Sequence, residues 1–156
     1  MAGLPKTKAR RDRGVAAVEF AIILPLILVL LAFPVFFGRV FMFYSVAQKA
    51  AQNAAQYIAT VPKVEMHDSN KAAAANDVAK EIIRLTMGEV NAGSGGIGIQ
   101  VDCDDGECGT GEVPTEILVN IRLVLYDDYF AFLTYSILGD GPLVINANAK
   151  VKYLGT

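Results

Sequence analysis

The chain has 156 residues, 53% of them hydrophobic, with 14 Lys and Arg against 16 Asp and Glu, one His and two Cys. Its charge is unevenly spread: residues 1–14 hold Lys6, Lys8, Arg10, Arg11 and Arg13 against Asp12, and the remainder holds 9 basic and 15 acidic residues. An acidic body of this kind excludes a nucleic-acid binder, which needs a basic footprint, and one His with two thiols cannot complete a four-ligand zinc site.

Residues 1–14 read as a basic leader. Val15 to Phe37 is an apolar run of 23 residues, enough for the roughly 20 that cross a bilayer. It is too long for the hydrophobic part of a cleaved secretory signal, and no Cys follows closely enough for a lipoprotein. The basic leader keeps the N-terminus cytoplasmic, which sends the C-terminal part outward. The transmembrane helix is therefore expected over 15–38, with the lipid bilayer as its first partner. Pro25 and Pro34 fall inside it, and membrane helices tolerate such prolines.

Residues 39–61 continue as an amphipathic extension. Val40, Phe43, Ala47, Ala50, Ala54, Tyr57 and Val61 recur at spacings of three and four, while Gln48, Gln52, Asn53 and Gln56 fall off the stripe. Pro62 ends the helix. Residues 62–156 form the exported α+β domain. It opens with a polar connector over 62–70 that contains His67, read as a solvated loop residue. A second helix is expected from Asn70 to Met87, capped by Asn70 or Ser69, with Ala75, Val78, Ala79, Ile82 and Leu85 on its buried face. Asn91 to Gly98 is glycine-rich and reads as a loop.

Three runs then alternate with period two. They are Ile97, Ile99 and Val101; Ile117, Val119, Ile121, Leu123 and Leu125; and Leu143, Ile145, Ala147, Ala149, Val151 and Tyr153. Asn120 and Arg122, and Asn146, Asn148, Lys150 and Lys152, take the opposite faces. This patterning marks half-buried antiparallel strands. Tyr126 to Pro142, with Tyr129, Phe130, Phe132 and Tyr135, is too long for a tight hairpin and reads as an aromatic loop over the core or against the membrane surface or a partner. The expected fold is α+β: a long N-terminal helix and a second helix packed on a small three-stranded antiparallel sheet.

Cys103 and Cys108 bracket an acidic turn, Asp102-Cys103-Asp104-Asp105-Gly106-Glu107-Cys108. In an oxidising compartment a close pair tends to bridge, so a disulfide is the leading reading. Free thiols, or a calcium site made by Asp102, Asp104, Asp105 and Glu107, are the alternatives. The turn does not match an EF-hand loop.

Glu19 is a lone carboxylate at the head of the apolar run, and intramembrane carboxylates are functional by default. Cleavage after Gly14 would free an amine on Val15, largely cationic at pH 7 because its reference pKa is about 8. Val15 and Glu19 are four residues apart and share a helix face. The amine of one subunit could then pair with Glu19 of its neighbour and set their stagger, with desolvation offsetting part of the attraction.

The stretch Arg13-Gly14-Val15-Ala16-Ala17-Val18-Glu19-Phe20-Ala21-Ile22-Ile23-Leu24-Pro25-Leu26 resembles the processing site of type IV prepilins, and specifically the TadE-like family of tight-adherence (Flp) pilus systems. Ala50-Ala51-Gln52-Asn53-Ala54-Ala55-Gln56-Tyr57 resembles that family's post-membrane segment. The resemblance covers residues 10–57 and implies a pilin-like fold and a minor pilin or pseudopilin. It implies processing by a prepilin peptidase between Gly14 and Val15, and a role for Glu19, with Phe20 beside it, in subunit assembly. The implied partners are the prepilin peptidase, other pilins and pseudopilins, and the inner-membrane assembly platform. The alternative is an unprocessed single-pass protein whose outer domain binds a partner. No cofactor is expected, and enzymatic chemistry is not. One His in a loop supplies no nucleophile–base–orienter set, and Asp127 and Asp128 would point to opposite faces of a strand.

Overall fold

The computed structural model describes residues 9–88, 96–104, 106–125, 135, 139 and 141–155, with side chains from Gly14 onward. Most of the basic leader, most of the expected glycine-rich loop, Asp105, Asp127, Asp128 and the aromatic residues Tyr129, Phe130 and Phe132 lie outside the described residues. The chain divides into two units, residues 1–39 and 40–156. Helix α1 runs Ala9–Ala59, α2 Lys63–Met66 and α3 Ser69–Gly88; strands are β1 Ile97–Cys103, β2 Gly106–Glu107, β3 Glu116–Leu125 and β4 Leu143–Lys152.

In the first unit α1 is helical through Pro25 and Pro34. Each proline lacks an N–H, so the carbonyls of Ala21 and Leu30 lose their in-helix donors. Every residue from Gly14 to Leu31 is exposed, including Ile22, Leu26 and Leu30. An apolar surface of this length, interrupted only by Glu19, is stable only in lipid or against other apolar surfaces. Among the described residues this is the one helix long and apolar enough to cross a membrane.

The second unit is α+β. Phe43, Ala47, Ala50, Ala54 and Val61 of the expected stripe are buried, together with Ala51, Ala55, Ile58 and Ala59; Val40 and Tyr57 are half-buried. The buried arc is thus wider than the stripe, because alanine adds little bulk and lets packed surfaces close in around the helix. Thr60 N donates to the Gln56 and Tyr57 carbonyls and the Thr60 hydroxyl donates to Tyr57 O at 2.8 Å. Pro62 then stops the helix. The orphan Ala59 carbonyl accepts from the N–H groups of Leu154 and Gly155 at 3.2 and 3.3 Å, so the end of the chain satisfies a group that the helix cannot.

The expected connector holds a short helix. Pro62 stands at the N-cap of α2 with extended geometry, and Met66 is buried. His67 is exposed. α3 is capped by Asp68, whose carboxylate accepts the Asn70 N–H at 3.0 Å, not by Ser69 or Asn70 as expected. Its buried face also differs. Ala72, Ala75, Asn76, Ala79, Ile83 and Met87 are buried. Ile82 is half-buried, and Val78 and Leu85 are exposed. The buried arc combines the bulky Ile83 and Met87 with small alanines, which let α3 pack closely on the turn after Cys108. A Cβ at Gly109, which has φ +114°, would lie 3.2 Å from the Ala73 Cα.

The sheet is antiparallel, with order β2-β1-β3-β4. It has four strands where three were expected. The extra strand, β2, is two residues long and pairs Cys103 with Gly106 and Asp102 with Glu107, too short to leave a period-two signature. Gly98 belongs to β1, opposite Arg122, and not to a loop. Ile117, Val119, Ile121, Leu123 and Leu125 of β3 are buried, as are Val101 of β1 and Ile145, Ala147 and Ala149 of β4. They join the α1 and α3 residues in one core cluster, where each fully buried Ile or Leu contributes roughly 1.5–3 kcal/mol.

Candidate functional site

Gly14, Val15, Glu19 and Phe20 lie on successive exposed turns of α1. Val15 is 56% exposed and Phe20 60%. Val15 and Glu19 share one face; Phe20, one residue beyond Glu19, turns about 100° away from it. Gly14 sits inside the helix, where glycine costs about 1 kcal/mol relative to alanine. A Cβ there would meet nothing within 4 Å, so among the described residues no packing calls for glycine at this position.

The second group of sequence-selected residues lies in the second unit. Cys103, at the end of β1, is bridged to Cys108, with a Cα–Cα distance of 4.8 Å. Asp104 adopts φ 51° between them, a left-handed geometry that Asp tolerates better than most residues. Its carboxylate accepts the N–H groups of Thr115 at 2.9 Å and Glu116 at 2.8 Å, and its own N–H donates to the Glu116 carbonyl. Glu107 is ion-paired with Lys80 at 3.1 Å. Asp102 accepts from Gln100 Nε2 at 3.2 Å. Of the acidic set considered for calcium, the three described members are thus drawn to separate protein partners. Among the described residues, no group of three His, Cys, Asp or Glu is arranged to hold a metal.

Asn76 ties this turn to α3. Its Nδ2 donates to the Cys108 carbonyl at 2.9 Å in a buried position, while its Oδ1 is buried without a partner. The signal for it in the sequence is a lone carboxamide at mid-helix among alanines. Tyr153 is a second residue that sequence reasoning placed only as the last of an alternating run. Its hydroxyl donates to the Val61 carbonyl at 2.6 Å, and burial pushes its pKa above the ordinary tyrosine value. On the solvent face Lys150 Nζ lies 2.6 Å from Glu116 Oε2. Hydrogen bonding to Glu116 and its charge raise the Lys150 pKa. His67 borders a shallow surface hollow with Lys63, Val64, Asp68 and Val113, and among the described residues no second His, Cys or nucleophilic hydroxyl lines it.

A family model described as TadE-like protein matches residues 14–56. The match begins at Gly14 and takes in Val15, Glu19, Phe20, the apolar run and the alanine-rich turns of α1. It agrees with the resemblance drawn from residues 10–57 and points to a protein associated with tight-adherence pili, in which one apolar N-terminal helix makes a single membrane pass. No curated protein and no solved structure matches the chain.

Proposed function

We propose that this chain is a minor pilin or pseudopilin of a tight-adherence pilus, cut by a prepilin peptidase between Gly14 and Val15. The observation that carries the reading is the head of α1. A glycine with no packing role among the described residues, a following exposed helix face and one carboxylate four residues beyond the new N-terminus lie together at the start of the family match. An unhindered glycine backbone suits close approach by a peptidase.

After cleavage each subunit carries an ammonium on Val15 and a carboxylate on Glu19 at the head of an apolar helix. Intersubunit pairing neutralises both charges, and the apolar faces of neighbouring helices replace lipid. Other pilins and the inner-membrane assembly platform are the partners of this step. The N-terminus is cytoplasmic and residues 62–156 lie outside, in the compartment where the Cys103–Cys108 bridge persists.

The test is the intact mass and N-terminal residue of the protein extracted from membranes of cells with an active prepilin peptidase. A chain that begins at Val15 is the expected result. A chain that keeps Lys6 to Arg13 would replace this reading with an unprocessed single-pass anchor.

A further inference from the structure

The second unit has two unlike ends. The Ala59 carbonyl accepts from Leu154 and Gly155, and the Val61 carbonyl from Tyr153, so α1 finishes at the end of the sheet where β4 finishes. From there its buried residues run back to Phe43, over about 24 Å of helix. The long strands β1, β3 and β4 stand about 4.8 Å from one another and are only about 10 Å across. A helix buried for such a distance runs along the strands, which places Phe43 at their other end, with Leu125 and Leu143, partners across β3 and β4. α3 begins beside the turn after Cys108, where Gly109 approaches Ala73 and Asn76 reaches the Cys108 carbonyl. Its buried Ile83 and Met87 lie in the same core and lead toward the start of β1 at Ile97.

The ends differ in charge. Residues 40–44, 85–88, 97–98, 123–125 and 143–145 make the Phe43 end and include no Asp, Glu, Lys or Arg. Large apolar side chains nevertheless stand exposed there: Phe41, Met42 and Tyr44 on α1, Leu85 on α3, Ile97 at the start of β1 and Val144 on β4. The opposite end also exposes Val64, Val113 and Leu154, but each beside charge. Lys63 and Glu65 flank Val64, Glu112 precedes Val113, and Lys152 stands just before Tyr153 and Leu154. The acidic residues of the connecting segments at the Phe43 end, Glu89, Asp127, Asp128 and Asp140, lie outside the described residues.

The Phe43 end is also the end tied to the apolar run. Val40 packs against the core of this unit and follows Phe37, the last residue of the run, by three positions. Three residues reach at most about 11 Å even when fully extended, and the headgroup layer is itself about 5–8 Å deep. No spacer therefore separates the core from the bilayer surface, at whatever angle the chain leaves it. We propose that this charge-free rim seats on the lipid surface, with Leu85, Ile97 and Val144 reaching the boundary between headgroups and acyl chains around the emerging helix. Exposed apolar patches of this kind mark membrane or protein contacts. Lipid is the occupant here because the chain already holds this end against it, and apolar side chains gain by burial in that boundary. A protein partner would have to displace lipid to reach the rim.

The rim rests on the membrane pass and not on processing at Gly14, since precursor and mature chain both contain it. Its failure and the failure of the pilin reading are therefore separate results. The chain has no Trp, so each single substitution to Trp creates one fluorescent probe. The experiment places the full chain in phosphatidylcholine nanodiscs, with acyl chains either unmodified or brominated near the headgroup. Phe41→Trp, held close to the span by the chain itself, calibrates the quencher. Leu85→Trp and, independently, Val144→Trp should each lose at least half of their emission in the brominated discs. Val64→Trp and Leu154→Trp, at the opposite end, should lose less than a tenth. Iodide in the buffer should quench the two rim probes at least threefold less than Val64→Trp. Absence of bromolipid quenching at either rim probe, or equal quenching at the two ends, would overturn the proposal. Shielding from iodide without bromolipid quenching would show that protein and not lipid covers the rim, and would overturn it equally.

Discussion

The hydroxyl of Tyr153 donates to the carbonyl of Val61 at 2.6 Å, joining the residue just past β4 to the second residue past α1, 92 positions away. Beside it the N–H groups of Leu154 and Gly155 donate to Ala59 O. The last residues of the chain thus act as the C-terminal cap of α1. Removing the phenol leaves a buried carbonyl without a donor, a loss of about 1–3 kcal/mol.

Tyr153→Phe should therefore lower stability by that amount near neutral pH, measured by chemical denaturation of the full chain in detergent micelles. The pH dependence has a definite sign. The Tyr153 pKa is higher in the folded protein than its ordinary value. Such a group contributes stability that is whole below the unfolded pKa of about 10 and is lost as pH rises through the folded value. The gap between wild type and variant should stay level from about pH 6 to 9 and narrow above about pH 10. A gap that widens with pH would contradict the assignment.

The Cys103–Cys108 bridge closes a short loop, and chain entropy makes such a closure worth about 2 kcal/mol. Asn76 holds the same turn from α3. Cys103→Ser with Cys108→Ser should destabilise by about 2 kcal/mol, and Asn76→Ala by about 1–3 kcal/mol because the Cys108 carbonyl loses its donor. The two changes should couple in a double-mutant cycle by 0.5 kcal/mol or more, on the order expected for residues that share one network. Strict additivity would show that Asn76 and the bridge act on different parts of the domain.

Ile121 is 1% exposed at the centre of β3, flanked in register by Ile99 and Ala147. Ile121→Ala should cost about 2–5 kcal/mol, read as a lower denaturation midpoint with unchanged slope. Leu85→Ala on α3 is a control. Leu85 is 67% exposed, so its loss should change stability by no more than about 0.5 kcal/mol. A large effect at Leu85 would restore the expected face of Val78, Ile82 and Leu85.

At the head of α1, Gly14→Val should accumulate as uncut precursor, visible as a mass that retains the basic leader. Glu19→Ala should still insert and still be cut, yet enter assemblies poorly, read as mature protein left in the membrane fraction. Normal assembly of that variant would remove Glu19 from the mechanism.

Much of this fold is legible because periodicity is a local property. The strand residues Ile117 to Leu125 and Leu143 to Val151 alternate so regularly that only one face can be buried. The stripe from Phe43 to Val61 announces its helix in the same way. The apolar span of α1 is legible because lipid imposes a length rule on a segment without reference to the rest of the molecule. The buried face of α3 is not. Ala75 and Ala79 are buried as expected, but Ala72, Ile83 and Met87 complete the face in place of Val78, Ile82 and Leu85, and hydrophobicity alone does not separate two arcs of similar bulk.

The sequence by itself determined the apolar span, the lone carboxylate behind Gly14 and the inward faces of β3 and β4, since each depends on spacing and side-chain chemistry within a few residues. Only the tertiary structure decided that Asp68 caps α3, that Asp104 holds Thr115 and Glu116, that Asn76 reaches Cys108 and that Tyr153 closes on Val61. Those choices depend on which backbone groups are left without partners once distant segments meet, and no window of neighbouring residues contains that information.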